Sequence, residues 1–352
     1  MPCAQLKLTK FTGGLSVHIG LRSFNLKSVV VALDSGNVGS TAVLLSNISV
    51  NDNIITHCQV RLSTSATTFG STANGGAVSV FAGSSGLTRI SAVSVMGSTA
   101  VFKSNFSLVR NTIAHCVASG NILFGRSNGA DVRGGGISFF IGFTIVSFLS
   151  ANWYSGSVSL ASSSVSVSEN VFSSCSAMAQ SDSFAFASSA HGGAASVFIG
   201  TTNPFYLCFF LTCFIVLGAL SNALSSRQSV LNQSISLEQS SISVTYNFAS
   251  NCSVSALHVG DEAQFMSSGA LGGAFGVYFG ASSHATSSEA LPSVISGGLY
   301  SRSLNFSFEN NTISSCSARL KVSGRTEVIT ATGGALAFQF GFFSFSQVAS
   351  LI

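Results

Sequence analysis

Two short motifs recur along the chain at the same interval, and that interval restricts the fold more than any other feature. The first reads apolar-Ser-apolar-x-x-Asn-x-x-x-x-Cys. Its copies are Ile48-Ser49-Val50…Asn53…Cys58, Phe106-Ser107-Leu108…Asn111…Cys116, Val165-Ser166-Val167…Asn170…Cys175, Ile242-Ser243-Val244…Asn247…Cys252 and Phe306-Ser307-Phe308…Asn311…Cys316. The second is a pair of small residues, an apolar-rich run and a closing glycine, as in Gly75-Gly76-Ala77-Val78-Ser79-Val80-Phe81-Ala82-Gly83. Its closing glycines, Gly20, Gly83, Gly142, Gly200, Gly280 and Gly341, are spaced 63, 59, 58, 80 and 61 residues apart. The repeat cysteines are spaced 58, 59, 77 and 64. Two independent motifs with one period mark a repeat architecture, in which each unit buries its apolar face only against its neighbours.

The recurring segments are short, β-branched and aromatic, and alternate with serine over three to five residues, as in Val165-Ser166-Val167-Ser168. That is the pattern of half-buried strands. Glycine pairs suit tight corners, and Asn tolerates left-handed turns. The fold expected is all-β: a parallel β-helix, or solenoid, built from units of about 60 residues. If a coil takes roughly 20–30 residues, each unit holds two or three coils. Equivalent residues then lie on the order of 10–14 Å apart at the usual strand spacing.

One interval is too long. The distance from closing glycine to next cysteine is 38, 33, 33, 52 and 36 residues, so the excess falls between Gly200 and Cys252. The most apolar run of the chain, Phe205 to Leu220, lies there. The organisation expected is solenoid over 1–203, an apolar, helix-like insert over 204–222, and solenoid again over 223–352. Residues 205–224 carry no charge and approach the roughly 20 residues needed to span a bilayer. They are a candidate transmembrane helix, with Arg227 near an interface. A loop packed on the solenoid and a translated non-coding segment are the other two readings. A span would set like repeats on opposite sides of a membrane and divide the solenoid.

The motifs also resemble a known family. Phe308-Glu309-Asn310-Asn311 fits the FxxN repeat of chlamydial polymorphic outer-membrane proteins, and the other copies carry Val50, Leu108, Val167 and Val244 in place of Phe. Gly75-Gly76-Ala77-Val78, Gly333-Gly334-Ala335-Leu336 and Gly134-Gly135-Gly136-Ile137 are similar to its GGAI motif. Pmp-like repeats of this kind also occur in surface proteins of some protists. The resemblance covers nearly the whole chain outside the insert. It implies a right-handed β-helix displayed at a cell surface, often adhesive. No C-terminal membrane barrel is recognisable, so the autotransporter route is not implied. The opening MPCAQLKLTK leaves no room for a secretory signal before the first repeat, and neither end carries a polar cap. A fragment of a larger, membrane-anchored protein is therefore a further expectation.

Composition narrows the chemistry. Lys+Arg 15 against Asp+Glu 11 gives +4, and charged residues are only 7% of the chain, against roughly 25% in ordinary domains. The basic residues are scattered without interleaved aromatics, so nucleic acid is not an expected partner. The repeat cysteines Cys58, Cys116, Cys175, Cys252 and Cys316 read as small buried residues. At the unit spacing assumed above they fall outside disulfide reach, and no CxxC pair indicates zinc. Cys208 and Cys213 belong to the insert, and Cys3 to the start.

His57 and His115 precede two repeat cysteines, but neighbours on a strand face opposite ways, so a Cys-His dyad is a poor geometry. His18, His191, His258 and His284 share no spacing. A carbohydrate-active enzyme on a β-helix would need clustered carboxylates. The aspartates Asp34, Asp52, Asp131, Asp182 and Asp261 are dispersed, with Asp261-Glu262 the one acidic pair. The glycine-rich stretch Gly129–Gly136 lacks the following Lys-Ser/Thr of a phosphate loop. Sequons stand at Asn47, Asn105, Asn232, Asn251, Asn305 and Asn310, and matter if the chain is secreted. No catalytic, cofactor or metal residue is assigned. The function expected is a non-catalytic adhesion or interaction scaffold facing outward at a cell surface or membrane. Its expected partners are surface glycans or proteins, with membrane association through 205–224. An enzyme on the same fold is the alternative.

Overall fold

The computed structural model describes residues 5–9, 15–25, 36–64, 71–88, 92–122, 130–148, 151–182, 187–206, 230–259, 267–287, 294–323 and 328–348. Every regular element among them is a β-strand. One turn of the chain, from Asn105 to Ala161, shows the plan. It contributes the strands Asn105–Val109, Thr112–Ala114, Val117–Ile122, Ala130–Arg133, Ile137–Phe148 and Ala151–Ala161. Each joins a different sheet, here called A to F in that order. All strand pairs are parallel and in register with the turns above and below: Asn105 faces Asn47 and Ser164, Thr112 faces Ile54 and Val171, Ile137 faces Val78 and Ala195. Stacked turns of this kind form a parallel β-helix.

The register corrects one expectation. Moving along the chain by one repeat moves a residue by one strand in its sheet, as from Asn47 to Asn105 to Ser164. A unit of about 60 residues is therefore a single coil, not two or three. Equivalent residues are neighbours at about 4.8 Å, not at twice or three times that distance.

Why one coil takes so many residues is visible in its packing. Sheets A and B, with the first halves of the sheet E strands and the last halves of the sheet F strands, enclose the main apolar core. In the central coils it is stacked from Phe106, Val165 and Ile242, from Ile113 and Phe172, and from Phe139 and Val197. Sheets C and D close on each other around a separate core of small side chains, Ala118, Ala177, Ala179, Ala190, Ala256 and Ala270 with Val132 and Val254. Alanine on both faces lets two sheets approach closely. On the other side of sheet E, the rings of Phe81, Phe140, Phe198 and Tyr278 stack at 4.9, 4.9 and 4.4 Å. The buried Arg133 guanidinium lies 4.7 and 4.4 Å from the Phe140 and Phe198 rings.

The expected boundary of the insert shifts. Pro204, Phe205 and Tyr206 end a sheet E strand, with Pro204 opposite His284, Phe205 opposite Ser147 and Tyr206 opposite Phe148. Aromatic residues are good strand formers, so the apolar run begins inside the strand. Residues 207–229, which hold the rest of the expected insert, lie outside the described residues. The strand that follows, Val230–Glu238, pairs in full with Trp153–Ala161 and with Val294–Arg302. The extra residues therefore fall in one E-to-F connection, and the coils before and after are hydrogen-bonded into one solenoid rather than divided. Among the described residues no helix is long and apolar enough to cross a membrane.

Candidate functional site

Three corners of each coil share one construction. A residue in the left-handed region turns the chain, and the next side chain is buried beneath it. At the A-to-B corner the turning residues are Asp52, Arg110, Glu169, Tyr246 and Asn310, with φ of 60, 55, 56, 56 and 53°. At the B-to-C corner they are His57, His115, Ser174, Asn251 and Ser315, and at the F-to-A corner Leu45, Lys103, Ser162, Gln239 and Ser303. None of these is glycine, and a non-glycine residue there costs on the order of 1–2 kcal/mol. What offsets that cost is the residue that follows.

At the A-to-B corner that residue is the motif asparagine. Asn111 takes its place in a buried column with Asn53, Asn170, Asn247 and, half-buried, Asn311. From Asn111 onward, each Oδ1 accepts from the backbone N–H and from the Nδ2 of the asparagine one coil earlier; for Asn170 both donors are on Asn111, at 2.9 Å. Asn53 Nδ2 also donates to the Asn51 carbonyl of its own coil at 2.9 Å, and from Asn111 onward each Nδ2 donates to a carbonyl of the preceding coil. Asn111 reaches Val50, Asn170 reaches Leu108, Asn247 reaches Val167 and Asn311 reaches Val244, at 2.7–2.8 Å. The apolar residue three places before each asparagine is thus the carbonyl acceptor for the next coil. The asparagine itself does not adopt the left-handed conformation expected of it.

The F-to-A corner carries a serine column that sequence reading missed: Ser46, Ser104, Ser163 and Ser240, with Leu304 in the last coil. The Oγ atoms accept from the backbone N–H one coil earlier, Ser104 from Ser46 at 3.1 Å and Ser163 from Ser104 at 3.1 Å. The signal was present, since each serine stands seven residues before the motif asparagine. Serine is so common in this chain that the position did not stand out.

The B-to-C corner carries the cysteines. Cys116, Cys175 and Cys252 are buried, and Cys58 and Cys316 half-buried; all five are free thiols. Each donates to the carbonyl two residues before it, Cys116 to Ala114 at 3.3 Å and Cys252 to Ser250 at 3.4 Å. Cys116, Cys175 and Cys316 also point at carbonyls of the preceding coil, at 3.5–3.8 Å. The distance argument against a disulfide ladder fails, because these cysteines occupy adjacent coils. Side-chain hydrogen bonds to Cys116 and Cys252, then burial, raise Cys175 and hold its proton, and the contact with Cys175 lowers both neighbours. Burial, chiefly, raises Cys58.

The other candidates are placed as follows. His57 and His115 stand outside the corner, exposed and stacked with ring centroids 5.0 Å apart, while Cys58 and Cys116 turn inward. Asp52 pairs with Arg110 of the next coil, Oδ1 to Nε 2.6 Å and Oδ2 to Nη2 3.0 Å, on the solvent side. His191 is half-buried at the end of a sheet D strand. Asp131 lies in sheet D and Asp182 at the end of a sheet C strand. His18 and His284 lie in sheet E strands, and His258 in sheet C. Asp34, Asp261, Glu262, Cys3, Cys208, Cys213 and Arg227 lie outside the described residues. Among the described residues, no three His, Cys, Asp or Glu side chains converge to hold a metal. Gly134–Gly136 form the D-to-E corner, where Gly134 has φ of 64°.

The outward face of sheet A is the most regular surface of the solenoid. Its positions in five successive coils are Asn47, Ser49, Asn51; Asn105, Ser107, Val109; Ser164, Ser166, Ser168; Ser241, Ser243, Thr245; and Asn305, Ser307, Glu309; in the central row Ser49 is buried and Ser107, Ser166, Ser243 and Ser307 are half-buried. Only Val109 and Glu309 depart from Asn, Ser or Thr, so the face is a nearly uncharged lattice of hydroxyls and amides. Rows repeat every coil, about 4.8 Å, and every second residue, about 6.7 Å. Hydrogen bonds tie neighbours together: Asn51 Nδ2 donates to Ser49 Oγ at 2.6 Å, Ser107 Oγ to Asn51 Oδ1 at 3.3 Å, and the hydroxyls of Ser243 and Thr245 lie 3.3 Å apart. Three sequons, Asn47, Asn105 and Asn305, fall in one exposed row of this face, and Asn251 and Asn310 sit at exposed corners. Asn232 lies in a sheet F strand.

Comparison with protein-family models, with curated proteins and with solved structures finds no match to this chain.

Proposed function

We propose that this protein is a non-catalytic interaction scaffold, a rigid solenoid that presents the outward face of sheet A to an uncharged, hydroxyl-rich partner such as a surface glycan. The observation that carries the reading is the in-register lattice of Asn, Ser and Thr on that face. Its side chains are already oriented by bonds to one another, so little side-chain entropy is lost on binding. The near absence of charge fits a partner recognised by hydrogen bonding rather than by electrostatic steering. Display at a cell surface is part of the proposal. It is supported by the resemblance of the motifs to Pmp-like repeats, whose asparagine and glycine positions serve here as a column and a corner. Membrane association through the uncharged run 205–224, of which Phe205 and Tyr206 end a sheet E strand, is a further element of the same proposal, supported by that run alone.

The experiment is a glycan-array and cell-binding comparison of the native chain with a triple variant, Ser107→Lys, Ser166→Glu and Ser243→Lys. Alternating signs keep neighbouring charges complementary in the sheet. The expected result is native binding to uncharged glycans, weakened at least about tenfold in the variant, with the β-sheet circular dichroism unchanged. Binding that survives the variant, or no glycan or cell binding by the native chain, contradicts the proposal.

A further inference from the structure

Of the three outward rows of sheet A, the middle one keeps a single residue type through five successive coils. Ser49, Ser107, Ser166, Ser243 and Ser307 stand there in register, with Lys7 of the first strand at one end. The last four serines are half-buried; Ser49 is buried, and its coil offers the exposed Asn47 and the half-buried Asn51 beside it. Neighbours hold the hydroxyls in place: Ser107 donates to Asn51 at 3.3 Å, Ser166 lies 3.3 Å from Ser168, and Ser243 lies 3.3 Å from Thr245. A hydroxyl has one donor and two acceptor lone pairs, so one such bond leaves each serine able to bond a ligand. Along a strand the outward positions end at a corner after three residues. Along the solenoid axis they continue from coil to coil.

We propose that a flat, uncharged polysaccharide ribbon of β-1,4-linked sugars lies on this face, parallel to the solenoid axis, with one sugar to each coil. The inference rests on the glycan reading above and specifies its ligand. Such a ribbon advances about 5 Å per sugar, and the coils stack at about 4.8 Å. Its hydroxyls are equatorial, so one edge set against the face presents a hydroxyl to each coil. An α-linked chain of the same sugars curls into a helix and carries its hydroxyls away from a straight row. Charge in these rows lies only in the two end strands, at Lys7 and Glu309, which suits an uncharged ligand.

Length then sets the affinity. A neutral hydrogen bond contributes little net free energy, so one sugar on one coil binds weakly. Each further sugar adds the contacts of one more coil, and the coils are already in register, so no further ordering of the protein is needed. The rows from Asn47 to Glu309 cover five coils, so the gain per sugar stops at about five. A longer chain gains only from the number of places at which it can start.

The test is calorimetric titration of the native chain with cello-oligosaccharides of two to seven sugars, and with malto-oligosaccharides of the same lengths. The expected result is an affinity for the cello series that rises about threefold or more per sugar and levels at about five sugars. The malto series is expected to show no such rise. Ser166→Ile puts a β-branched strand former in the central coil and leaves two coils on either side, so the rise is expected to stop at about two sugars. Ser307→Ile removes the last coil from the row and is expected to stop the rise at about four, which keeps the test intact should Ser166→Ile not fold. An affinity indifferent to length, an equal rise in the malto series, or a rise unchanged by both variants overturns the inference and leaves the glycan reading standing. Binding on the glycan array without binding of any cello-oligosaccharide does the same. No binding to the array, to cells or to either series overturns both.

Discussion

Replacing Gly135 with alanine is expected to destabilise the solenoid strongly. A Cβ built at Gly135 lies 2.2 Å from the Gly193 carbonyl oxygen and 2.4 Å from the backbone N and C of Ser176. All of these belong to the next coil, Gly193 in its glycine corner and Ser176 at the start of its sheet C strand, and none is the flexible end of a side chain. Relief requires a coil to move away from its neighbour, and both are held by six ladders of hydrogen bonds. Overpacking that side chains can absorb costs about 1–3 kcal/mol. Here backbone must shift, so a loss of about 4 kcal/mol or more is expected, which is a large part of the 5–15 kcal/mol typical of a folded domain. Gly298→Ala is the matched control: its Cβ meets nothing within 4 Å, and a change of about 0.5 kcal/mol or less is expected. Urea denaturation of both variants decides. A Gly135→Ala chain as stable as the native one would mean that the glycine corner is not stacked as described.

The second large effect is at the centre of the asparagine column. Asn170→Leu keeps an apolar side chain of similar size in a position that is 0% exposed, but removes four hydrogen bonds of 2.8–3.0 Å. Two of the abandoned partners are backbone groups, the Leu108 carbonyl and the Asn111 N–H. Each buried group left without a partner costs about 1–3 kcal/mol, so a loss of about 4 kcal/mol is expected. The native contacts span two coil interfaces, and solenoid stability is a sum over such interfaces. Hydrogen exchange should therefore show protection lost first in the coils of Asn111, Asn170 and Asn247. Asn105→Ala removes two solvent-side contacts, to Asn47 at 3.5 Å and from the Ser164 hydroxyl at 2.5 Å, whose partners stay in water, and is expected to change stability by about 0.5 kcal/mol or less. Equal stabilities for the two variants would contradict the column.

The repeat, the strand class and the burial of the cysteines could be read in the sequence because each leaves a periodic trace. Ile48, Phe106, Val165 and Ile242 recur at one position because they stack in one core. The size of a coil could not be read the same way. Strand patterns show where the chain extends, but not how many extended segments close one turn. Here six segments do, because sheets C and D fold into a lobe of their own around Ala118, Ala177 and Ala190. Alanine carries almost no pattern. One clue was available: an amide column needs one asparagine per coil, and there is one motif asparagine per unit. That clue is hidden because asparagine is also a turn residue, and the turn here is made by its predecessor, such as Arg110 or Glu169. The outward face of sheet A was written as the serines between apolar residues, but its lattice depends on register. Register exists only between coils.

Register is also what the account rests on, and amide-to-amide nuclear Overhauser contacts in the deuterated chain test it most directly. One coil per unit predicts contacts between residues 58 or 59 apart, Asn53 with Asn111 and Asn111 with Asn170, along every sheet of the central coils. Contacts joining strands roughly 20–30 residues apart, as a unit of two or three coils requires, would contradict the single-coil unit, and with it the asparagine column, the thiol column and the sheet A lattice.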